Sequence, residues 1–315
     1  MLNYAGQSGT YESFVRVPFG ETRSVWNDFN QLVLSIISRH PDFTQYAEDV
    51  ILRVGHGFDR ANFMEVINQN PCPWTVYGTD EAMRFVRLVG PPDDSMSDEK
   101  TKRKDGPLFR YSAASLAIRF LQSLHSDSQS QFRTITLLED KASINNPPSH
   151  VQGLIPFCRR NPRLHIERAL NLWTAGICFG MPFIQGVRAT MITRSLGGWI
   201  IEALELRDRG MPDGSFRLTL DGDPIPDMAS QISGAVKRDA SRQAALDICF
   251  DRHILPLPRP SWFTREGRLR GNYQWKRLPE AIAKLQSGDY AWLISCNFDL
   301  GAPCDPERLI SDREG

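Results

Sequence analysis

With 315 residues, 41% apolar and 23% charged, the chain has the size and composition of an ordinary globular protein with a sizeable core. Lys+Arg and Asp+Glu balance at 37 each, so no global field draws the chain to nucleic acid or to an anionic membrane. No stretch reaches the roughly 18 uninterrupted apolar residues of a spanning helix, since the best candidate, Leu170–Val187, is broken by Asn171, Pro182 and Gln185.

The first part of the chain, residues 1–89, reads as mostly helical. Trp26, Phe29, Val33, Ile36 and Ile37 fall at helical spacing in "WNDFNQLVLSII". Asp49–Val54 follows and is stopped by Gly55 and Gly57. Asp59–Gln69 is an amphipathic helix with Asp59 as its cap, ended by Pro71 and Pro73. Asp80–Val89 is a further short helix. Gly90–Pro107 has Met96 as its only large apolar residue and carries an acidic run followed by a basic run. It buries too little to offset chain entropy, so a flexible linker is expected over 90–107.

Residues 108–315 read as one mixed α/β domain. Ser112–Leu124 is a helix capped by Ser112, with Leu116, Phe120 and Leu124 at four-residue steps. Phe132–Leu138 alternates and is β-branched, which predicts a strand. Ser149–Pro162 is a short helix at best, interrupted by Gly153 and Pro156. Arg163–Trp173 starts with strand alternation at Leu164 and Ile166, and Leu170 and Leu172 keep the phase. Gly198–Gly210 suits a helix or a strand. "SFRLTLDGDP" (Ser215–Pro224) is a strand and turn, and Asp227–Phe250 is the longest helix, with Met228, Ile232, Val236, Ala240, Ala244 and Ile248 in one stripe. A short helix over "LPEAIAKLQSG" and a late strand over "YAWLISCNF" close the pattern. There is neither a G-x-G-x-x-G nor a P-loop, so irregular helix–strand units, leucine-rich-like, are favoured over a doubly wound nucleotide fold.

The six cysteines are Cys72, Cys158, Cys178, Cys249, Cys296 and Cys304. None shows C-x-x-C spacing, and Cys158, Cys178 and Cys249 sit in apolar contexts. They read as reduced, buried thiols, not a zinc site. The N-terminal stretch matches neither a secretory signal nor a transit peptide. An intracellular protein, cytoplasmic or nuclear, is therefore expected, without metal or cofactor.

Asp221, Asp223 and Asp227 lie close together and raise the question of a metal or acid–base cluster. "DGDP" is also a tight-turn sequence, and Asp227 immediately precedes a helical pattern as its N-cap, so each aspartate has a local structural role. The turn-and-cap reading is preferred, and the EF-hand pattern is absent. Arg159, Arg160, Arg163, His165 and Arg168 gather cationic groups that suit phosphate, RNA or an acidic partner. Their alternative is a solvated face paired with Glu167 and other acids, and the shortage of nearby aromatics disfavours nucleic acid. The histidines are scattered without H-E-x-x-H spacing. A dispersed enzyme site would draw on His150, Cys158, Asp221 and Asp223. In Pro260–Trp275, Trp262, Phe263, Tyr273 and Trp275 surround Arg265, Arg268 and Arg270, a composition enriched at binding hot spots. This loop is the preferred contact surface; its alternative is aromatics packed on the core.

The phrases "RYSAASLAIRFLQSL", "FRTITLLED", "HVQGLIPFCRRNPRLHIER", "SFRLTLDGDP…AALDICF" and "CNFDLGAPCDPE" together resemble a largely uncharacterised protein family of filamentous fungi, F-box-like in layout. The likeness runs from about Phe109 to near the end, and no F-box motif stands at this N-terminus. The resemblance implies helices at the front and strands after them, and it supplies no catalytic residues to carry over. Taken together, the expectation is a protein-interaction or adaptor-type protein without its own chemistry, with another protein as its partner and no membrane. An enzyme of unrecognised class, and a phosphate- or RNA-binding module, are the alternatives. The sequence sets no oligomeric state.

Overall fold

Period-two alternation produces the strands. β1 (Thr134–Glu139), β2 (His165–Asn171), β3 (Phe216–Asp221) and β4 (Ile294–Cys296) each turn alternate side chains to one side. This computed structural model describes residues 22–43, 45, 72–81, 110–177, 189–255, 275–303 and 305–311. All the strand pairs are parallel, and the order in the sheet is β1-β2-β3-β4. Register aligns Ile135, Ile166 and Phe216 in one row, and Leu137, Arg168, Leu218 and Ile294 in the next. Mixed α/β is thus the observed class, with the strands laid side by side in chain order like turns of a short solenoid.

Parallel neighbours need crossovers, and helices supply them. A 3-10 helix (Pro147–Leu154) and a short α-helix (Ile155–Arg160) link β1 to β2. A longer helix (Ala189–Leu204) lies between β2 and β3. Two more (Pro226–Asp251 and Leu278–Ser287) lie between β3 and β4. Counting these α-helices after α1 (Arg23–Ile37), α2 (Ala113–Ser123) and α3 (Ser126–Gln129), they are α4 to α7, and α8 is Pro306–Ser311. The core forms where they meet one face of the sheet. Leu137, Ile166, Leu170, Phe216, Leu218 and Leu220 pack there against Ile118 and Leu121 of α2, Trp199 and Ile200 of α5, and Leu278 of α7.

Several helix details differ from expectation. Ser112 does cap α2, its side chain accepting from the Ser115 N–H. The buried face of α2, however, is Ala114, Ser115, Ile118 and Leu121, while Leu116 and Phe120 are exposed. Gly198–Gly210 resolves as the end of a helix, α5, followed by turns. In α6 the N-cap position belongs to Ile225 and Pro226 is the first helical residue, so Asp227 sits inside the first turn and does not cap. The α6 stripe is also rotated: Ala229, Ser233, Val236, Ala240 and Gln243 are buried, and Met228 is exposed.

α1 matches the predicted N-terminal helix. Its first two turns dock on the α/β body, where the Ser24 N–H donates to Glu202 Oε1 (3.2 Å) and Arg209 Nη1 donates to Asp28 Oδ2 (2.8 Å). The expected helices Asp49–Val54 and Asp59–Gln69, most of Asp80–Val89, and the linker Gly90–Pro107 lie outside the described residues. Among the described residues no helix is long and apolar enough to cross a membrane.

Candidate interaction surface

Alternation buries one set of strand side chains and turns the other set to the opposite face. That second face carries Thr134, Thr136 and Leu138 of β1, then His165, Glu167, Ala169 and Asn171 of β2. Arg217, Thr219 and Asp221 of β3 and Ser295 of β4 complete it. Every one of these side chains is exposed or half-buried, and among the described residues no helix packs over them. Parallel sheets ordinarily have both faces covered. Here, among the described residues, one face is left open and is largely polar.

The face is organised but not locked. His165 Nδ1 donates to the Gly214 carbonyl at 2.6 Å, which fixes the tautomer and leaves Nε2 3.8 Å from Glu167 Oε1. Glu167 and Arg217 are register partners on adjacent strands. Arg217 Nε instead reaches Ser295 Oγ (3.2 Å), and Thr219 Oγ1 lies 3.1 Å from the same hydroxyl. Two register pairs, Glu167 with Arg217 and Thr219 with Ser295, therefore turn one acid, one guanidinium and two hydroxyls outward, able to accept and donate hydrogen bonds.

At the C-terminal ends of the strands the clustered aspartates find their role. Asp221 Oδ1 accepts from the Asp223 N–H (3.0 Å) and from Asn297 Nδ2 (2.8 Å). Asn297 Oδ1 accepts from the Gly222 N–H (2.7 Å), and Asn171 Nδ2 donates to the Asp223 carbonyl (3.2 Å). This polar rung carries the chain out of the strands. Among the described residues, no group of three or more His, Cys, Asp and Glu side chains is placed to hold a metal ion. The turn reading of Asp221 and Asp223 stands, and Asp227 needs the correction given above.

The basic segment does not bring all four arginines to the surface. Arg168 is 1% exposed, in phase with Ile166 and Leu170 on the core face, so it leaves the expected patch. Its Nη2 lies 2.6 Å from Glu139 Oε1, it donates to the carbonyls of Pro147 and Pro148, and its guanidinium lies 4.4 Å from the Trp199 ring centroid. Arg159 donates to the Gly210 carbonyl (2.8 Å), and Arg160 lies over the Phe157 ring. Arg163 is exposed. Of the expected aromatic contact loop, Trp262, Phe263, Arg265, Arg268, Arg270 and Tyr273 lie outside the described residues. Trp275 is 6% exposed and belongs to the core, packed over Gly197 and Gly198 of α5 with its Nε1 donating to the Arg194 carbonyl (2.7 Å). Its apolar area is spent on the fold and is not offered to a partner.

The residues of a dispersed enzyme site are committed elsewhere. His150 is buried, and Ser112 Oγ (2.7 Å) and Ser115 Oγ (2.9 Å) both reach its Nδ1 while Nε2 meets the Asn145 carbonyl. Nδ1 accepts and Nε2 donates, which holds the ring neutral. Burial pulls its pKa down to about 4. Cys158 is fully buried, and burial pushes its thiol up to about 12, the opposite of an activated nucleophile. The apolar crevice beneath Phe298, lined by Leu196, Ile200, Val236 and Ile282, is water-sized.

Comparison with protein-family models, with curated proteins and with solved structures gives no match for this chain. The open sheet face therefore rests on geometry alone. Sequence reasoning named Glu167 only as a partner of the basic segment and passed over Arg217, Thr219 and Ser295, although the signal was present. Each stands out of phase with a buried apolar neighbour, Glu167 between Ile166 and Arg168, and Arg217 and Thr219 around Leu218.

Proposed function

We propose that this chain is a protein-interaction or adaptor-type protein without chemistry of its own, and that it engages its partner through the open face of the sheet. The observation that carries the reading is two register pairs, Glu167 with Arg217 and Thr219 with Ser295, held on adjacent strands and turned away from the helices. Residues on strands are placed by the ladder and lose little freedom on binding, which suits a preformed recognition surface. Acid, guanidinium and hydroxyls on one face match the mixed polar groups of a protein surface better than a uniformly anionic backbone. A protein partner inside the cell agrees with the neutral total charge and with the F-box-like filamentous-fungal group that the sequence resembles.

Affinity purification with tagged wild type, Thr219→Arg and Glu167→Arg tests this. Both substitutions fall on the open face and should leave thermal stability within about 1 kcal/mol of wild type. The wild type should recover a specific protein that Thr219→Arg fails to recover and Glu167→Arg recovers weakly. Equal recovery by all three would remove the open face from the interaction.

A further inference from the structure

We propose that two copies of this chain join edge to edge through β1, antiparallel about a two-fold axis at Thr136, into one continuous sheet. β1 is the terminal strand. The His165 N–H donates to the Arg133 carbonyl, so the backbone groups of Arg133, Ile135, Leu137 and Glu139 face β2. Those of Thr134, Thr136 and Leu138 face outward, and among the described residues no backbone group meets them. Their side chains are exposed, Leu138 by 64%. Between Thr134 and Leu138 stands no proline, no lysine and no other charge, the devices that normally blunt an open edge.

The helix layer continues the same surface. In α2, Ser115 reaches toward His150 on the 3-10 helix, the side of the second strand. Leu116 and Phe120 lie outside the buried face of α2, at 51% and 50% exposure, and Phe120 packs edge-to-face on Phe132 just before β1. Among the described residues the end of the stack therefore combines unpaired backbone with apolar side chains, as a repeat does where a neighbour belongs.

A second copy fits this end. With the axis at Thr136 and normal to the sheet, Thr136 meets its own counterpart and Thr134 meets Leu138 of the other copy. Every outward N–H and carbonyl from Thr134 to Leu138 then finds a partner. The same axis keeps both helix layers on one side, bringing the two Leu116–Phe120 flanks together, and leaves both open faces on the other side. Such a contact is isologous and closes at two copies. A net charge of +0 puts no electrostatic barrier against it.

Sedimentation velocity on the purified full chain, from about 1 to about 100 µM, tests the proposal by mass action. The wild type should pass from monomer to dimer. Thr136→Pro removes only an outward N–H, a position where an edge strand tolerates proline, and should raise the dimer Kd at least about tenfold. Leu138→Lys, at an exposed position, should do the same without loss of thermal stability and carries the test if the proline variant misfolds, and Phe120→Glu should do so with a small loss of stability from its Phe132 contact. Hydrogen exchange should show the Thr134, Thr136 and Leu138 amides becoming protected only as the dimer forms. A wild type that stays monomeric throughout, a dimer indifferent to the variants, open-ended aggregation, or amides already protected in the monomer would each overturn it.

Discussion

Arg168 and Glu139 face each other from adjacent strands in the interior, with Arg168 Nη2 2.6 Å from Glu139 Oε1 and both side chains almost fully buried. Neither charge is left unmatched. The carboxylate also accepts from the Ala113 and Ala114 N–H groups at the start of α2, and the guanidinium from its other side donates to the Pro147 and Pro148 carbonyls. Burial raises the Glu139 carboxyl, but the Arg168 charge and these hydrogen bonds outweigh it and leave the pKa below its ordinary value. The pair thus ties α2, β1, β2 and the 3-10 helix to one point. Arg168→Leu should cost about 3–5 kcal/mol in urea unfolding, because it strands a buried carboxylate. Adding Glu139→Leu should recover part of that loss, and a double-mutant cycle that finds the two changes simply additive would refute the coupling.

This pair also marks the limit of what the chain discloses in one dimension. Strand alternation already puts Arg168 in phase with Ile166 and Leu170, so its inward direction was legible. Its chemical type argued for the surface, and the partner that makes burial tolerable stands on another strand. Proline at the first helical position placed the start of α6 at Pro226, which already excluded Asp227 as a cap. For α2 two stripes competed, and the smaller residues Ala114 and Ile118 won over Leu116 and Phe120, because the helix lies close against the sheet and the 3-10 segment. The open face was legible strand by strand. That no described helix covers it depends on all the crossovers returning on one side, which no local pattern encodes.

The pH dependence of stability should show two opposed contributions. His150 is held neutral, pulled down to about 4 chiefly by burial. The unfolded chain binds more protons there, so this contribution is present above the ordinary pKa of 6.5 and is lost as pH falls toward 4. Glu202 is pushed up to about 7, mainly by burial and further by Glu205. There the folded chain binds more protons, so stability falls as pH rises from the ordinary 4.5 toward 7. The wild type should therefore change little between pH 4.5 and 6.5. Glu202→Gln should unmask a stability that rises with pH over that window, and His150→Asn one that falls. Melting temperatures across the window decide the matter; parallel profiles for all three proteins would contradict both assignments.

The rung at the strand ends makes a discriminating set of substitutions. Asp221→Ala removes the acceptor used by the Asp223 N–H and by Asn297 Nδ2, and should cost about 1–2 kcal/mol. Asp221→Asn keeps an oxygen at that place and should cost less than about 1 kcal/mol. Asp227→Ala loses a favourable charge in the first turn of α6 but no cap, so about 0.3–1 kcal/mol is expected. Urea unfolding with and without added Mg²⁺ or Ca²⁺ measures all three. A metal-dependent stabilisation abolished by Asp221→Asn would restore the metal reading that the turn geometry displaces.

Trp275 separates a core role from a binding role. Gly197 and Gly198 leave a smooth stretch on α5 where the indole lies; a Cβ at Gly197 would come within 3.0 Å of Trp275 Cδ1 and 2.8 Å of Leu278 Cδ1. The ring also donates to the Arg194 carbonyl, lies 5.5 Å from the Arg194 guanidinium, and its own carbonyl accepts from Gln243 Nε2. Trp275→Ala opens a cavity between α5, α6 and α7 and should cost about 3–5 kcal/mol. Trp275→Phe keeps most of the packing but leaves the Arg194 carbonyl without its donor, so a smaller loss of about 1–3 kcal/mol is expected. Gly197→Ala should destabilise as well, since the added methyl meets two packed side chains instead of solvent. A Trp275→Ala protein that unfolds at the wild-type urea midpoint would show that the indole does not serve the core, and would return Trp275 to the exposed aromatic surface that its neighbours in sequence suggest.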